Sequence, residues 1–143
     1  MALPITPTDL LIGALRAARI PTGDAEAKDD KLAPLVGRFV VVYQVAEQTP
    51  DGPVSDTSVD RTVDLQVTAC GPSRQAVDLT AEKARTVALA VTDGPPPTGR
   101  SWLADAEHIV GAPVTRATPS DPDRPAETGW YRADLYRYRT TPR

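Results

Sequence analysis

RTVDLQVTACGPSRQAVDLTAEKARTVALAV, residues 61–91, holds a strand, a break and a helix in a single run. In its first third Val63, Leu65, Val67 and Ala69 alternate with Thr62, Asp64, Gln66 and Thr68. A clean period of two predicts a half-buried strand. Gly71 and Pro72 break it. Ser73 follows as a good N-cap. Beyond it Ala76, Val77, Thr80, Ala81, Ala84, Val87, Ala88 and Val91 share one face at helical spacing. Small residues in that stripe let the helix lie close against a sheet. Asp78, Glu82 and Arg85 occupy the opposite face. Leu79 and Leu89 fall outside the main stripe, where they can reach a second surface. The best-patterned part of the chain is therefore a packing surface.

Upstream, RFVVVYQVAEQ, residues 38–48, is the strongest strand, dominated by β-branched and aromatic residues. Phe39, Val41, Tyr43 and Val45 point one way, Val40 and Val42 the other. Apolar residues on both faces imply that both faces are covered. With residues 60–70 this strand predicts an antiparallel hairpin, extended at its tip by TPDGPVSDTS. Further upstream, Thr6, Pro7 and Asp9 form an N-cap, a first-turn proline and a capping-box acid. Leu10, Leu11, Ala14, Leu15 and Ala18 give the helix that follows an apolar face, and Pro21 and Gly23 end it. TGDAEAKDDKLAP reads as a polar connection.

Downstream, TDGPPPTGRS and TPSDPDRPAETG are proline-rich loops. Between them a short strand is expected near His108–Val110 and another near Val114–Ala117. The chain closes on WYRADLYRYRT, a strand with Tyr131, Ala133 and Leu135 on one side. Trp130, Arg132, Asp134, Tyr136 and Tyr138 lie on the other. The element order predicts an α+β fold. It would be a mostly antiparallel four- or five-stranded sheet with two helices packed on one face. A length of 143 residues suits one domain spanning 1–143.

Little in the composition points to chemistry. The net charge of −3 and the lack of a cationic run argue against a grip on free nucleic acid. Cys70 is the sole cysteine, so no intrachain disulfide can form. A lone His108 cannot make a metal cluster, and no Cys/His spacing fits zinc. The serines lack a nucleophile-elbow context. GPPPTG lacks the Gly-Lys-Ser/Thr ending of a phosphate loop. The acidic residues are many but dispersed, and those in loops, such as Asp29, Asp30 and the acids of SDPDRP, are ordinarily solvated. No catalytic residue, metal or cofactor is expected. The N-terminal residues lack the basic start and long apolar run of a secretory signal, and no stretch is apolar enough to cross a membrane. A soluble protein made in a cytoplasm is the expectation.

Two helices cannot cover both faces of one sheet. The apolar residues left over favour a subunit that assembles over a free monomer. At this point the order of patterns resembles the tail terminator (tail-completion) proteins of long-tailed bacteriophages. The likeness runs through the N-terminal amphipathic helix, the strand FVVVYQ, the hairpin, VDLQVTACG, SRQAVDLTAEKARTVAL and the closing YRADLYRYR. Family members are small α+β subunits that close into a hexameric ring. The ring caps the tail tube, stops its growth and offers a docking face to the head-side connector.

The resemblance implies a structural protein of the virion, located in the tail or neck and assembled in the host cytoplasm. Its partners would be further copies of itself, the major tail-tube protein and the neck connector. DNA would pass through the lumen without specific binding. Leu79, Leu89, Trp130, Tyr136 and Tyr138 are the candidate subunit contacts. Loops near 48–58, 92–100 and 118–129 are the candidate tube and neck contacts, with Asp51, Pro53, Pro96, Arg100, Asp121 and Asp123 among them. Three other readings are another head–tail connector subunit, a small non-viral α+β enzyme or binding domain, and a nucleic-acid binder using the C-terminal strand.

Overall fold

The computed structural model describes residues 6–28, 31, 35, 37–48, 61–91, 104–116 and 129–140. Helix α1 spans Pro7–Ala17 and opens with the expected reciprocal cap. The Asp9 N–H donates to Thr6 Oγ1 at 3.1 Å, and the Thr6 N–H donates to Asp9 Oδ2 at 3.2 Å. Two first-turn donors are thus satisfied, and the acid sits at the positive end of the helix. The helix ends four residues before Pro21, where Arg19 takes a positive φ of 63°. Its inward face is Thr8, Leu11, Ile12 and Leu15. Ile12 replaces Ala18 of the expected stripe, and Ala18 is exposed.

A short strand unforeseen in the sequence, β1 (Thr22–Asp24), follows directly. It runs parallel to β2 (Phe39–Gln48), with Gly23 beside Val41. Gly23 is required there: any Cβ would collide with the Glu26 carbonyl, where the chain folds back over β1. β2 pairs antiparallel with β3 (Arg61–Gly71), with a bulge between Gln44 and Ala46. Helix α2, Arg74–Ala90, is capped by Ser73, whose side chain accepts from the Ala76 N–H at 3.2 Å.

β4 covers Ala104–Gly111, well beyond the three residues expected. A two-residue β5, Thr115–Arg116, and the long β6, Trp130–Thr140, complete the fold. The sheet runs β1-β2-β3-β6-β4, with β5 pairing β6 beyond the end of β4. Among the described residues only the β1–β2 pair is parallel. This is the α+β class that the pattern predicts.

One core lies between the sheet and its two helices. Leu11, Ile12, Leu15 and Ile20 meet Val40 and Val42 at one side. Val77, Ala81, Ala84 and Ala88 of α2 cover Val63, Leu65, Val67 and Ala69. Each fully buried leucine here contributes about 1.5–3 kcal/mol relative to exposure. The alanine stripe contributes less area per residue. It lets α2 approach the sheet closely, and the bulk is supplied from below by two tyrosines.

Candidate assembly surface

Both helices lie on one side, so the other side of the sheet is set by strand register alone. Antiparallel partners share a face, which gives the rows Phe39–Cys70–Tyr131, Val41–Thr68–Ala133 and Tyr43–Gln66–Leu135. Tyr43 is 37% exposed, Tyr131 38% and Val45 55%. Val41 is buried beside Gly23, where the turn folds over β1. Burial pushes the Cys70 thiol up, and burial followed by the neighbouring Cys70 pushes the Tyr43 phenol up. A sheet face of mixed character therefore stays partly open to water: Phe39, Tyr43, Tyr131 and Leu135 flank a central strand on which Gln66 Nε2 donates to Thr68 Oγ1 at 3.0 Å, and a charged pair borders it. Arg137 Nε donates to Asp64 Oδ1 at 2.9 Å and Nη2 to Oδ2 at 3.2 Å. That two-pronged bond is the main reason the guanidinium pKa is raised.

The second exposed apolar group is on α2, facing away from the sheet. Leu79 is 49% exposed, and Leu89 is also exposed. Arg74, Gln75, Asp78, Leu79 and Glu82 line a shallow depression on the N-terminal half of this helix. The two apolar groups thus lie on opposite sides of the molecule.

Two of the candidate contacts prove to be interior. Tyr136 and Tyr138 belong to the helix-side row of β6, where they pair with Leu65 and Val63, and they are 1% and 0% exposed. Tyr138 Oη donates to the Ala88 carbonyl at 2.9 Å, which satisfies a backbone acceptor near the C-terminus of α2. They cannot serve as subunit contacts, because α2 already covers them. Trp130, at the start of the same row, is half-buried and packs against the core. Leu79 and Leu89 remain available at the surface. Asp51, Pro53, Pro96, Arg100, Asp121 and Asp123 lie outside the described residues.

Burial raises both inner phenols well above their ordinary pKa, with Asp134 adding to the effect at Tyr136 and Tyr136 adding to it at Tyr138. The neutral form is therefore favoured in the folded state. That stability is fully present below the ordinary phenol pKa of about 10 and is lost as pH rises above it. Each tyrosine costs up to about 1.4 kcal/mol per pH unit there. Denaturant melts at pH 9 and pH 11 should show a drop that Tyr138→Phe reduces.

Between these tyrosines and the end of the sheet is a polar cluster that sequence reading did not foresee. Asp134 is buried, with Oδ1 at 3.0 Å from His108 Nε2 of β4. Its Oδ2 lies 3.2 Å from Arg132 Nε, close enough to pair electrostatically but not aligned for a hydrogen bond. Arg132 Nη1 reaches up to α2, 3.4 Å from Asp78 and 3.5 Å from Glu82. Burial alone would lower the Arg132 pKa; Asp134, Glu82 and Asp78 outweigh it and raise the value. His108 thus has a structural partner. The cluster's sequence signal is Arg132 and Asp134 in the same alternating row as the tyrosines. Asp78 and Glu82 sit one helical turn apart above them. Among the described residues no group of three or more His, Cys, Asp or Glu side chains could hold a metal.

No protein-family model and no curated protein matches the sequence. Among solved structures, a chain of the "Virion of native gene transfer agent (GTA) particle" is similar, with a TM-score of 0.53 and 15% identity. The alignment covers 90% of this chain and 84% of that one. At that identity the likeness is one of fold.

Proposed function

We propose that this chain is a structural subunit of a phage-like virion, which closes into a ring at the end of a tail tube. The observation that carries the reading is the open sheet face, where Tyr43 and Tyr131 are exposed beside Phe39 and Leu135 in a fold shared with a virion chain. A second copy would cover it. A closed ring of more than two copies needs two different patches on each subunit. The outward side of α2, with Leu79 and Leu89, supplies the second. The family resemblance implies six copies, a tube protein below and a connector above, with DNA passing through the lumen.

The strand ends support two separate docking faces. Gln48, Thr62, Arg139 and Ala104 lie together at one end of the sheet, and Gly71, Trp130 and Arg116 at the other. The candidate loops themselves lie outside the described residues; in sequence, 48–58 begins at Gln48 and 92–100 precedes Ala104, both of the first end, and 118–129 lies between Arg116 and Trp130 of the second. One ring face would meet the tube and the other the connector.

Sedimentation of the purified protein, alone and with tail-tube ends, tests the assembly. The native chain should sediment as a closed oligomer or bind the tube ends. Tyr43→Lys combined with Val45→Lys should leave a monomer whose melting point stays within about 3 °C, since both side chains are surface-exposed. A native chain that stays monomeric even with tube ends present would refute the proposal.

A further inference from the structure

We infer that Arg132 is a positioning residue: its contacts with Asp78 and Glu82, small in energy but directional, select among close placements of α2, and with it Leu79, over the sheet. The importance of this for assembly rests on the proposed function; the geometry does not.

The helix-side row of β6 is Trp130, Arg132, Asp134, Tyr136 and Tyr138. Two charged residues stand in a face that a helix covers. Replacing a buried ion pair with apolar side chains of similar volume is commonly neutral or stabilising, so stability does not account for the pair. Directional contacts do something that apolar packing does less well, which is to discriminate between neighbouring placements of one element on another. α2 presents a shallow surface to the sheet, with Ala76, Ala81, Ala84 and Ala88 among its six buried residues. Short side chains interlock less deeply than leucines would.

Two directional contacts compensate, one toward each end of the helix. Near the C-terminus, Tyr138 Oη holds the Ala88 carbonyl at 2.9 Å. In the N-terminal half, Arg132 spans Asp78 at 3.4 Å and Glu82 at 3.5 Å. Arg132 is itself braced from below. Asp134 faces it at 3.2 Å, and His108 steadies Asp134 at 3.0 Å. Gly111 lets the β4 main chain close on this pair, since a Cβ there would stand 3.0 Å from Asp134 Oδ1 and 3.1 Å from His108 Cε1. The brace thus runs from β4 through β6 to α2. Leu79 follows Asp78 in sequence and precedes Glu82 by one turn, so it moves with the gripped segment.

The test separates position from stability. Asp78→Asn with Glu82→Gln removes the helix half of the grip using near-isosteric side chains, both more than a third exposed. Arg132→Met with Asp134→Leu removes the sheet half and leaves no buried charge behind. Spin labels at Lys83→Cys on α2 and Glu107→Cys on β4, in a Cys70→Ser background, report the helix-to-sheet distance by pulsed electron resonance. With labelled chain diluted in unlabelled chain, so that the distance read lies within one subunit, one narrow distance is expected in the parent and a broadened or shifted distribution in both variants, with melting points within about 5 °C of the parent. Unchanged distances in both variants would overturn the inference. So would broadening that comes only with loss of a cooperative melt, which would make the cluster a general stabiliser. Leu79→Asp serves as the separate control on assembly. If it abolishes the ring while the grip variants keep their distances, the proposed function stands and this inference falls. If it leaves the ring intact while the distances broaden, the reverse holds.

Discussion

Tyr138→Ala is expected to lower the melting point by about 10–15 °C, corresponding to a loss of about 3–5 kcal/mol. Tyr138 is fully buried beneath α2, so truncation removes a large aromatic side chain from the centre of the core and leaves a cavity. It also strands the Ala88 carbonyl, whose hydrogen bond at 2.9 Å comes from this phenol. Tyr138→Phe isolates the second contribution and should cost about 1–3 kcal/mol, because the ring stays and only the donor goes. Circular-dichroism melts of the two variants give both numbers. The contrast with surface variants is the informative part: Leu79→Asp should act on assembly and leave the melt nearly unchanged. If Tyr138→Ala instead melted like the parent and lost only its ability to assemble, the last strand would face a neighbouring copy and the helix would lie elsewhere.

That strand also shows where sequence reading succeeds and where it stops. Alternation sorts WYRADLYRYRT into two sets of residues, and the structure keeps those sets intact. Alternation does not say which set lies under the helices. The decision is made by cross-strand register, which pairs Tyr136 with Leu65 and Tyr138 with Val63 on the face that α2 covers. Aromatics at 130, 136 and 138 looked like surplus apolar area on an open face. They instead supply the bulk that an alanine-rich helix lacks. The open face is built from the other set, with Tyr131 beside Cys70 and Phe39, and Leu135 beside Gln66 and Tyr43. The N-terminal cap was fully legible, because a capping box is a local interaction within four residues. β1 was not, because three residues of polar and glycine character carry no periodicity; its pairing comes from the neighbour, through the Val40 N–H donating to the Pro21 carbonyl. The polar cluster was half legible: Arg132 and Asp134 could be placed on one face, but their burial depends on α2 folding back over them.

Arg132→Ala should be nearly as costly as Tyr138→Ala, and for an electrostatic reason. Asp134 is 3% exposed and has two cationic or donor neighbours, Arg132 and His108. Removing the guanidinium leaves a carboxylate in a low-dielectric site with one partner, and breaking a buried pair this way costs about 3–5 kcal/mol. Asp78 and Glu82 lose their counter-charge at the same time, but both are exposed to water, so their share is small. Arg132→Met combined with Asp134→Leu removes the uncompensated charge as well and should recover most of the loss, to within about 1–2 kcal/mol of the parent. Denaturant unfolding of the parent, Arg132→Met, Asp134→Leu and the double variant would then give a coupling energy of at least about 2 kcal/mol between the two positions. Added salt should change that coupling little, because the Asp134 side chain is shielded from solvent ions. Additive single and double variants would mean that Arg132 and Asp134 act independently. The brace from β4 to α2 would then be two unrelated contacts, not one connected support.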